Sequence, residues 1–186
     1  QSANNSTSFP IIMMTSINNI NPVVVGSVPC QTNNLYQFKY SNGDFYYIND
    51  YKMMKISNGN VTLINSNDNN RCFTVNNSTV YRGVAGNETI SGTSFSSNPY
   101  GLYDLDYSPS EDRIYIHRQN NGGQIGYWNV TGSSYVTIYS SNNAFIFSSG
   151  WGEQVVKYND GLVYFNQGKS LFSVQNDGSN SRIISS

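Results

Sequence analysis

Short runs of apolar and aromatic residues, separated by polar turns, recur along most of this chain. The clearest run, Asp44 to Ile64, predicts three consecutive strands, the last two joined by the turn Ser57–Asn60. The Asn58-Gly59 pair in this turn suits a two-residue hairpin, because both residues tolerate the positive φ angles that such a hairpin requires. The same order of strand, turn, strand, turn and strand returns in Gly161 to Ile184. This recurrence indicates a repeated structural module.

Two further units of the same kind lie between these two. Arg71 to Val75 opens a second unit, and Tyr103 to Tyr107 opens a third. The second strands of the units begin near residues 44, 79, 113 and 161, a spacing typical of four-stranded propeller blades. We therefore predict an all-β fold, a β-propeller-like array of about four antiparallel blades over residues 35–186. A β-sandwich is the alternative, since strand patterning does not determine how the sheets close.

The first 34 residues lie outside the repeats. Residues 1–8 are polar, and two apolar runs follow, Phe9 to Ser16 and Pro22 to Ser27. Neither run alternates as a strand with one solvated face does, so we expect both to be buried or to lie against a partner. We assign residues 1–34 to a glycosylated lead-in with non-repeat strands, separate from the propeller-like domain at 35–186. No stretch keeps a helical apolar period for three turns, so we expect no helix.

The aromatic second strands and the turns that follow the third strands resemble a known family. Phe45 to Asp50 with Lys55 to Asn60, and Val163 to Asn166 with Leu171 to Asn180, are similar to blades of YWTD-like propellers of low-density-lipoprotein-receptor type. The first and last units match this pattern well, the third matches partly, and the second is degenerate. The family usually has more blades than this chain supplies. The resemblance therefore implies either a ring closed with four blades or a propeller completed by another chain.

The charge balance excludes several kinds of partner. Charged residues make up 11% of the chain, against about 25% in typical globular proteins, and the net charge is −1. This composition offers no basic face for nucleic acid and no polybasic segment for anionic lipid. The apolar runs are too short to cross a bilayer. We therefore expect no nucleic acid partner and no membrane span.

Cysteine usage and glycosylation sequons favour an extracellular, secreted protein. Cys30 and Cys72 bracket the first unit, and a disulfide between them is favoured over two buried thiols. Closing this loop would stabilise the fold by roughly 4 kcal/mol. We expect the start of the chain to be a mature terminus left after signal cleavage. Sequons for N-linked glycans begin at Asn4, Asn5, Asn60, Asn76, Asn77, Asn87 and Asn129.

Candidate catalytic and metal-binding residues are few. His117 is the only histidine, so zinc sites and nucleophile–base pairs lack partners, and we interpret it as structural or on the surface. Asp104 and Asp106 project from one face of a strand because they are two residues apart. With Asp112 they form a weak candidate Ca²⁺ site, and as a pair they resemble the acids of a glycosidase. The favoured interpretation places both acids toward solvent or a central channel.

Three aromatic residues suggest a second kind of site. Tyr127, Trp128 and Trp151 would suit stacking on sugar rings, although packing between blades is the favoured interpretation. Glu153 is a lone acid close to Trp151. Nucleotide-binding and cofactor motifs are absent from the sequence, so we expect no cofactor.

These observations predict a secreted, N-glycosylated structural or interaction module that is not an enzyme. A propeller with few blades leaves unpaired backbone groups at its first and last blades. Strands donated by neighbouring copies, from Phe9 to Ser16 and Pro22 to Ser27, would satisfy them and build a fibre or coat. We expect the partners to be copies of the chain or other extracellular proteins and glycans. The alternatives are a monomeric carbohydrate- or protein-binding propeller of lectin or adhesion type and, less favoured, a glycoside hydrolase or lyase.

Overall fold

The computed structural model describes residues 11–16, 19–27, 35–66, 70–84, 88–96, 101–118, 123–141 and 155–185. Within these ranges all the regular secondary structure is β-strand. The strands form five antiparallel sheets, and each sheet contains strands that are consecutive in the chain. The predicted all-β class is therefore confirmed. The chain divides into two compact units, residues 1–68 and 69–186.

The first unit contains a two-stranded sheet and a four-stranded sheet. The two-stranded sheet consists of β1 (Ile11–Ser16) and β2 (Asn19–Ser27). The four-stranded sheet, here the first blade, consists of β3 (Leu35–Ser41), β4 (Asp44–Asn49), β5 (Lys52–Ser57) and β6 (Asn60–Asn65). The two apolar segments predicted as separate strand donors thus pair with each other.

The hairpin between β5 and β6 has the predicted turn. Asn58 and Gly59 have φ angles of 49° and 77°, the two positive values that a type I′ turn needs. Ser57 and Asn60 pair across this turn, which sets the register of the two strands. Adjacent apolar residues of the first blade are fully buried, with Tyr47 and Met53 at 0% exposure. The local sequence therefore determines both the turn and the register.

The second unit contains three sheets, each built from strands consecutive in the chain. The second blade consists of β7 (Asn70–Asn76), β8 (Thr79–Val84) and β9 (Thr89–Ile90). The third blade consists of β10 (Leu102–Ser108), β11 (Arg113–Arg118), β12 (Gln124–Asn129) and β13 (Ser134–Ser140). The fourth blade consists of β14 (Val156–Asn159), β15 (Leu162–Gln167), β16 (Ser170–Gln175) and β17 (Arg182–Ser185). The predicted starts of the second strands are confirmed to within one residue.

The second blade has the shortest third strand of the four, with two residues. Among the described residues, the pairing beyond this strand is a single bridge between Thr89 and Ser96. Phe95, 2% exposed, packs edge-on against Trp128 of the third blade with ring centroids 5.4 Å apart. This aromatic contact therefore joins the second blade to the third.

The core of the second unit lies between consecutive blades. Strand side chains alternate between the two faces of a sheet, so a central blade can bury one face against each neighbour. One cluster joins the second and third blades through residues such as Phe95, Leu105 and Ile114. Another joins the third and fourth blades through residues such as Tyr115 and Phe165. Each blade interface is thus a small hydrophobic core.

Candidate functional site

Two buried carboxylates join the first strands of the third and fourth blades. Asp104 and Asp106, on β10, are 5% and 4% exposed. An Oδ2 atom of Asp104 accepts the backbone N–H of Val156 at 2.9 Å, and Oδ2 of Asp106 accepts the N–H of Tyr158 at 2.9 Å. The two acids share one face of β10, and the two amides share one edge of β14, so the equal spacing lets both bonds form together.

The expectation that these acids face solvent is therefore wrong, since both are buried against β14. The physical reason is that β14 is the edge strand of its sheet, and its Val156 and Tyr158 N–H groups point toward β10 of the third blade, the first of them fully buried. Buried amides need acceptors, which the two carboxylates supply. Lys157 adds an ion pair to Asp106 at 2.8 Å, with the lysine side chain 61% exposed.

The second and third blades are joined in a similar way. Thr74 on β7 accepts the N–H of Tyr107 on β10 through its hydroxyl oxygen, at 2.9 Å. Glu88, only 7% exposed, accepts the N–H of Leu102 at 2.9 Å through one oxygen. Its other oxygen pairs with Arg71 at 3.2 Å. Polar side chains of one blade thus complete the hydrogen bonding of the first strand of the next.

The third acid of the predicted Ca²⁺ site has a different role. Asp112 accepts hydrogen bonds from the hydroxyls of Tyr107, at 2.9 Å, and Thr131. The Thr131 and Tyr107 hydroxyls hold the pKa of Asp112 below its usual value. Burial, together with the Asp112 carboxylate, raises the pKa of Tyr107 to about 12. In the part of the chain that the structure describes, no three His, Cys, Asp or Glu residues are grouped to hold a metal ion.

His117 is a buried structural residue. Its side chain is 0% exposed, and its ring lies edge-on to Tyr103 with centroids 6.1 Å apart. Burial lowers the pKa of His117 to about 4, against a smaller opposing effect from a hydrogen bond with the Val155 backbone. The imidazole is therefore neutral at pH 7.

The two predicted sugar-stacking residues that the structure describes, Tyr127 and Trp128, do not form a joint surface. Trp128 is 7% exposed and packs against Phe95 in the core. Tyr127 lies on the opposite face of β12, under the Arg113 guanidinium at 4.1 Å from the ring centroid. Adjacent strand residues cannot form one flat platform, so Tyr127 and Trp128 do not make a joint site. Trp151 and Glu153 lie outside the described residues.

The disulfide stays a prediction because Cys30 lies outside the described residues. Its proposed partner, Cys72, is 0% exposed on β7. The sequon residues fall into three groups, none of which shows whether a glycan is attached. Asn4, Asn5 and Asn87 lie outside the described residues, Asn60 and Asn77 are exposed at hairpin turns, and Asn76 and Asn129 are half-buried at strand ends.

A polar cleft of about 830 Å³ opens at one end of the fourth blade. It lies between the β14–β15 turn and the β16–β17 turn, which are joined by a 3.0 Å hydrogen bond from the Asn176 N–H to the Gly161 carbonyl. The sequence indicated the β16–β17 turn but not the β14–β15 turn, and only the register of β15 and β16 places these two turns side by side. Its lining includes Asp160, Leu162, Gln175, Asn176, Asn180 and Arg182.

The β16–β17 turn is held rigidly against the third blade. Asp177 accepts the N–H of Ser179 at 2.8 Å, and the hydroxyl and N–H of Ser179 keep the pKa of Asp177 low. Gly178 has a φ of 89°, and a Cβ atom built on it would lie 3.0 Å from the carbonyl oxygen of Ile138. Glycine at this position therefore permits both the turn and its close approach to β13.

Internal hydrogen bonds orient several polar side chains of the cleft. Gln175 accepts the Ser179 hydroxyl through Oε1 at 2.7 Å. Asn176 donates through Nδ2 to Glu111 of the third blade at 2.6 Å. Arg182 donates through Nε to the Ser173 hydroxyl at 3.4 Å. The arrangement provides oriented hydrogen-bond donors and acceptors, and it contains no nucleophile–base pair.

No protein-family model and no curated protein matches the chain. Among solved structures, the extracellular domain of BT4673 from B. thetaiotaomicron has a TM-score of 0.54 at 14% identity, over 84% of this chain and 23% of that one. A structure of YCF48 bound to D1 peptide has a TM-score of 0.51 at 13% identity, over 94% of this chain and 60% of that one. This chain spans less than two thirds of either.

Both structures are β-propeller-like, and at these identities the likeness shows the fold alone. The chain therefore has an all-β, β-propeller-like fold, as predicted. The narrower resemblance to YWTD-like repeats stays a prediction. Along the described ranges, no helix is long and apolar enough to cross a membrane.

Proposed function

We propose that this chain is an extracellular, non-catalytic interaction module that pairs with further copies of itself along an exposed strand edge. The observation that carries the proposal is β17, the outermost strand of the fourth blade. All four of its residues are exposed, and Ile183 and Ile184 are 61% and 45% exposed. Because consecutive residues point to opposite faces, an added strand would have apolar contacts on both faces of the sheet.

The outermost strand of the first blade has the same feature. On β6, Leu63 and Ile64 are 53% and 40% exposed. Protein sheets usually protect edge strands with charges, proline or short length, because an open apolar edge invites pairing with another chain. The outer strands of the first and last blades therefore both favour association by strand addition.

The β1–β2 hairpin supplies the strands to be donated. Its two strands pair with each other and form a sheet of their own, so each keeps one outer edge. A two-stranded sheet is marginally stable alone, and it gains hydrogen bonds when a further strand joins it. Head-to-tail addition of this hairpin to β17 of the next copy would build a filament or a coat.

The positions of the acids and the histidine support a non-catalytic role. Asp104 and Asp106 use their carboxylates to accept backbone amides, and His117 is buried and neutral at pH 7. A general acid or base needs access to substrate and a proton to transfer near the working pH. These groups serve the packing between blades instead.

The sequons and the solved structures support an extracellular location and a polypeptide partner. N-linked glycans on exposed positions such as Asn60 and Asn77 would fit a secreted protein. One similar structure is named as an extracellular domain, and another is named as bound to a peptide.

Sedimentation velocity over a range of protein concentrations tests the proposal. The wild-type chain is expected to form larger species as concentration rises, and Ile183→Lys to remain monomeric, because a charge on an edge strand opposes pairing. Leu171→Lys is the matched control, since Leu171 is 37% exposed in the same sheet but lies on the interior strand β16. A wild-type monomer at all concentrations, or equal loss of association in both variants, would reject the β17 edge as the contact.

A further inference from the structure

We infer that the cleft at the end of the fourth blade binds a neutral oligosaccharide. The cleft borders β17 at Arg182, the first residue of that strand, and the inference does not depend on self-association. Its volume of about 830 Å³ lies within the range of about 300–1,000 Å³ seen for ligand sites in proteins. Most of its lining side chains are polar, with Leu162 as the one large aliphatic side chain among those described. The lining therefore suits a ligand that forms many hydrogen bonds.

Two opposite charges lie in this cleft without pairing to each other. Among the ion pairs of the described residues, neither Asp160 nor Arg182 takes part. Asp160 is held in the β14–β15 turn with a φ of 46°. Their charges cancel, so the cleft as a whole favours a neutral ligand that can donate to the carboxylate and accept from the guanidinium.

The amide side chains extend this pattern of donors and acceptors. The Oε1 atom of Gln175 is already bonded to Ser179, which leaves its Nε2 group as a donor. The Nδ2 group of Asn176 is already bonded to Glu111, which leaves its Oδ1 atom as an acceptor. Because one end of each amide is fixed, less side-chain entropy is lost when a ligand binds.

A sugar matches the donors and acceptors of this cleft better than other neutral polar ligands do. Each sugar hydroxyl both donates and accepts a hydrogen bond, so neighbouring hydroxyls can satisfy Asp160 and Arg182 or Gln175 and Asn176 together. A peptide also has donors and acceptors, but its apolar side chains would find only Leu162 in the described lining. The proposed ligand is therefore an uncharged oligosaccharide of two or three residues.

Isothermal titration calorimetry with maltotriose, cellotriose, mannotriose and triacetylchitotriose tests this inference, with triglycine as the competing class of ligand. At least one sugar is expected to bind the wild-type chain. Asp160→Asn and Arg182→Gln are each expected to weaken that binding by about tenfold or more, since each removes a charge-assisted hydrogen bond. Lys169→Ala is the control, because Lys169 is exposed in the β15–β16 turn at the other end of the same blade.

Three results would overturn the inference. The first is that no sugar binds to the wild-type chain. The second is sugar binding that the Asp160 and Arg182 variants leave unchanged, and the third is binding of triglycine in place of the sugars. Circular dichroism of each variant confirms that the fold is intact, which is expected because both substituted residues are exposed.

Discussion

The Asp106 carboxylate accepts the backbone N–H of Tyr158 at 2.9 Å, so that a side chain of the third blade completes the edge of the fourth. The neighbouring bond from Val156 to Asp104 has the same length and the same geometry along the strand. Thr74 provides the corresponding contact from the second blade to the third. Consecutive blades of the second unit are thus joined by hydrogen bonds as well as by apolar packing.

Removal of the Asp106 carboxylate should destabilise the chain more than removal of its lysine partner. Asp106→Ala leaves the part-buried Tyr158 amide without its acceptor, at an expected cost of about 1–3 kcal/mol. Lys157→Ala removes an ion pair whose lysine is 61% exposed, so the expected cost is below about 1 kcal/mol. Urea unfolding of both variants measures the free energies of unfolding. Equal losses would show that the ion pair, not the amide contact, is the stabilising interaction.

Alanine substitutions at Gly178 and Gly168 distinguish the destabilisation caused by a close contact from that caused by a positive φ angle. Both have positive φ angles, but only Gly178 has a neighbouring atom within reach of an added Cβ. Gly168→Ala is expected to cost about 1–2 kcal/mol through backbone strain alone. Gly178→Ala also pushes the turn away from Ile138, at a further cost of about 1–3 kcal/mol. Thermal unfolding that ranks the two variants in the opposite order would contradict this account of the turn.

Burial of His117 should make stability fall as the pH is lowered from about 6.5 to about 4. The pKa of His117 is about 4 in the folded chain and 6.5 in a model peptide, so only the unfolded chain takes up a proton in this window. The stability is fully present above pH 6.5, and the difference corresponds to a loss of about 3 kcal/mol on acidification. The free energy of unfolding as a function of pH gives the measurement.

His117→Gln provides the comparison for this pH dependence. The variant is expected to have a different overall stability. Its free energy of unfolding should also depend less steeply on pH between 6.5 and 4, because glutamine does not titrate. The lowered pKa values of Asp112 and Asp177 act at more acidic pH, as their usual value is 3.8. An unchanged slope in the variant would assign the acid sensitivity to other groups.

Trp128 should matter for stability and not for sugar binding. Trp128→Ala removes a buried ring that packs against Phe95, at an expected cost of about 3–5 kcal/mol. Its binding of the trisaccharides named above is expected to equal that of the wild-type chain under conditions where the variant is folded. Loss of sugar binding in the folded variant would revive Trp128 as a stacking residue.

The repeat pattern predicted the blades because strand alternation and turn residues are local properties. The Asn58-Gly59 turn and the starts of the second strands follow from short stretches of sequence. The hydrogen-bond partners of Asp104 and Asp106 cannot be predicted in this way. Asp104 and Val156 are 52 positions apart and meet only when two blades pack. The spacing of two residues between Asp104 and Asp106 is compatible with a metal site, with a catalytic acid pair and with two acceptors for backbone amides, so the sequence does not distinguish these roles.

The cleft was missed for a related reason. Asp160 lies in a turn, Arg182 begins β17, and neither belongs to a motif; the pairing of β15, β16 and β17 brings them together. Trp128 was a candidate because aromatic residues suit both sugar stacking and packing between blades. Its burial against Phe95 of the second blade could not be deduced from the sequence of β12 alone.

Hydrogen–deuterium exchange of β17 at low and high protein concentration tests the proposed self-association most directly. If copies add strands to this edge, the β17 amides that point away from β16 should exchange more slowly as the concentration rises, because these edge N–H groups become hydrogen-bonded. Amides of the interior strand β16 should exchange equally at both concentrations, since they are paired within the blade. Exchange of β17 that does not depend on concentration would contradict the proposal that this edge joins one copy to the next.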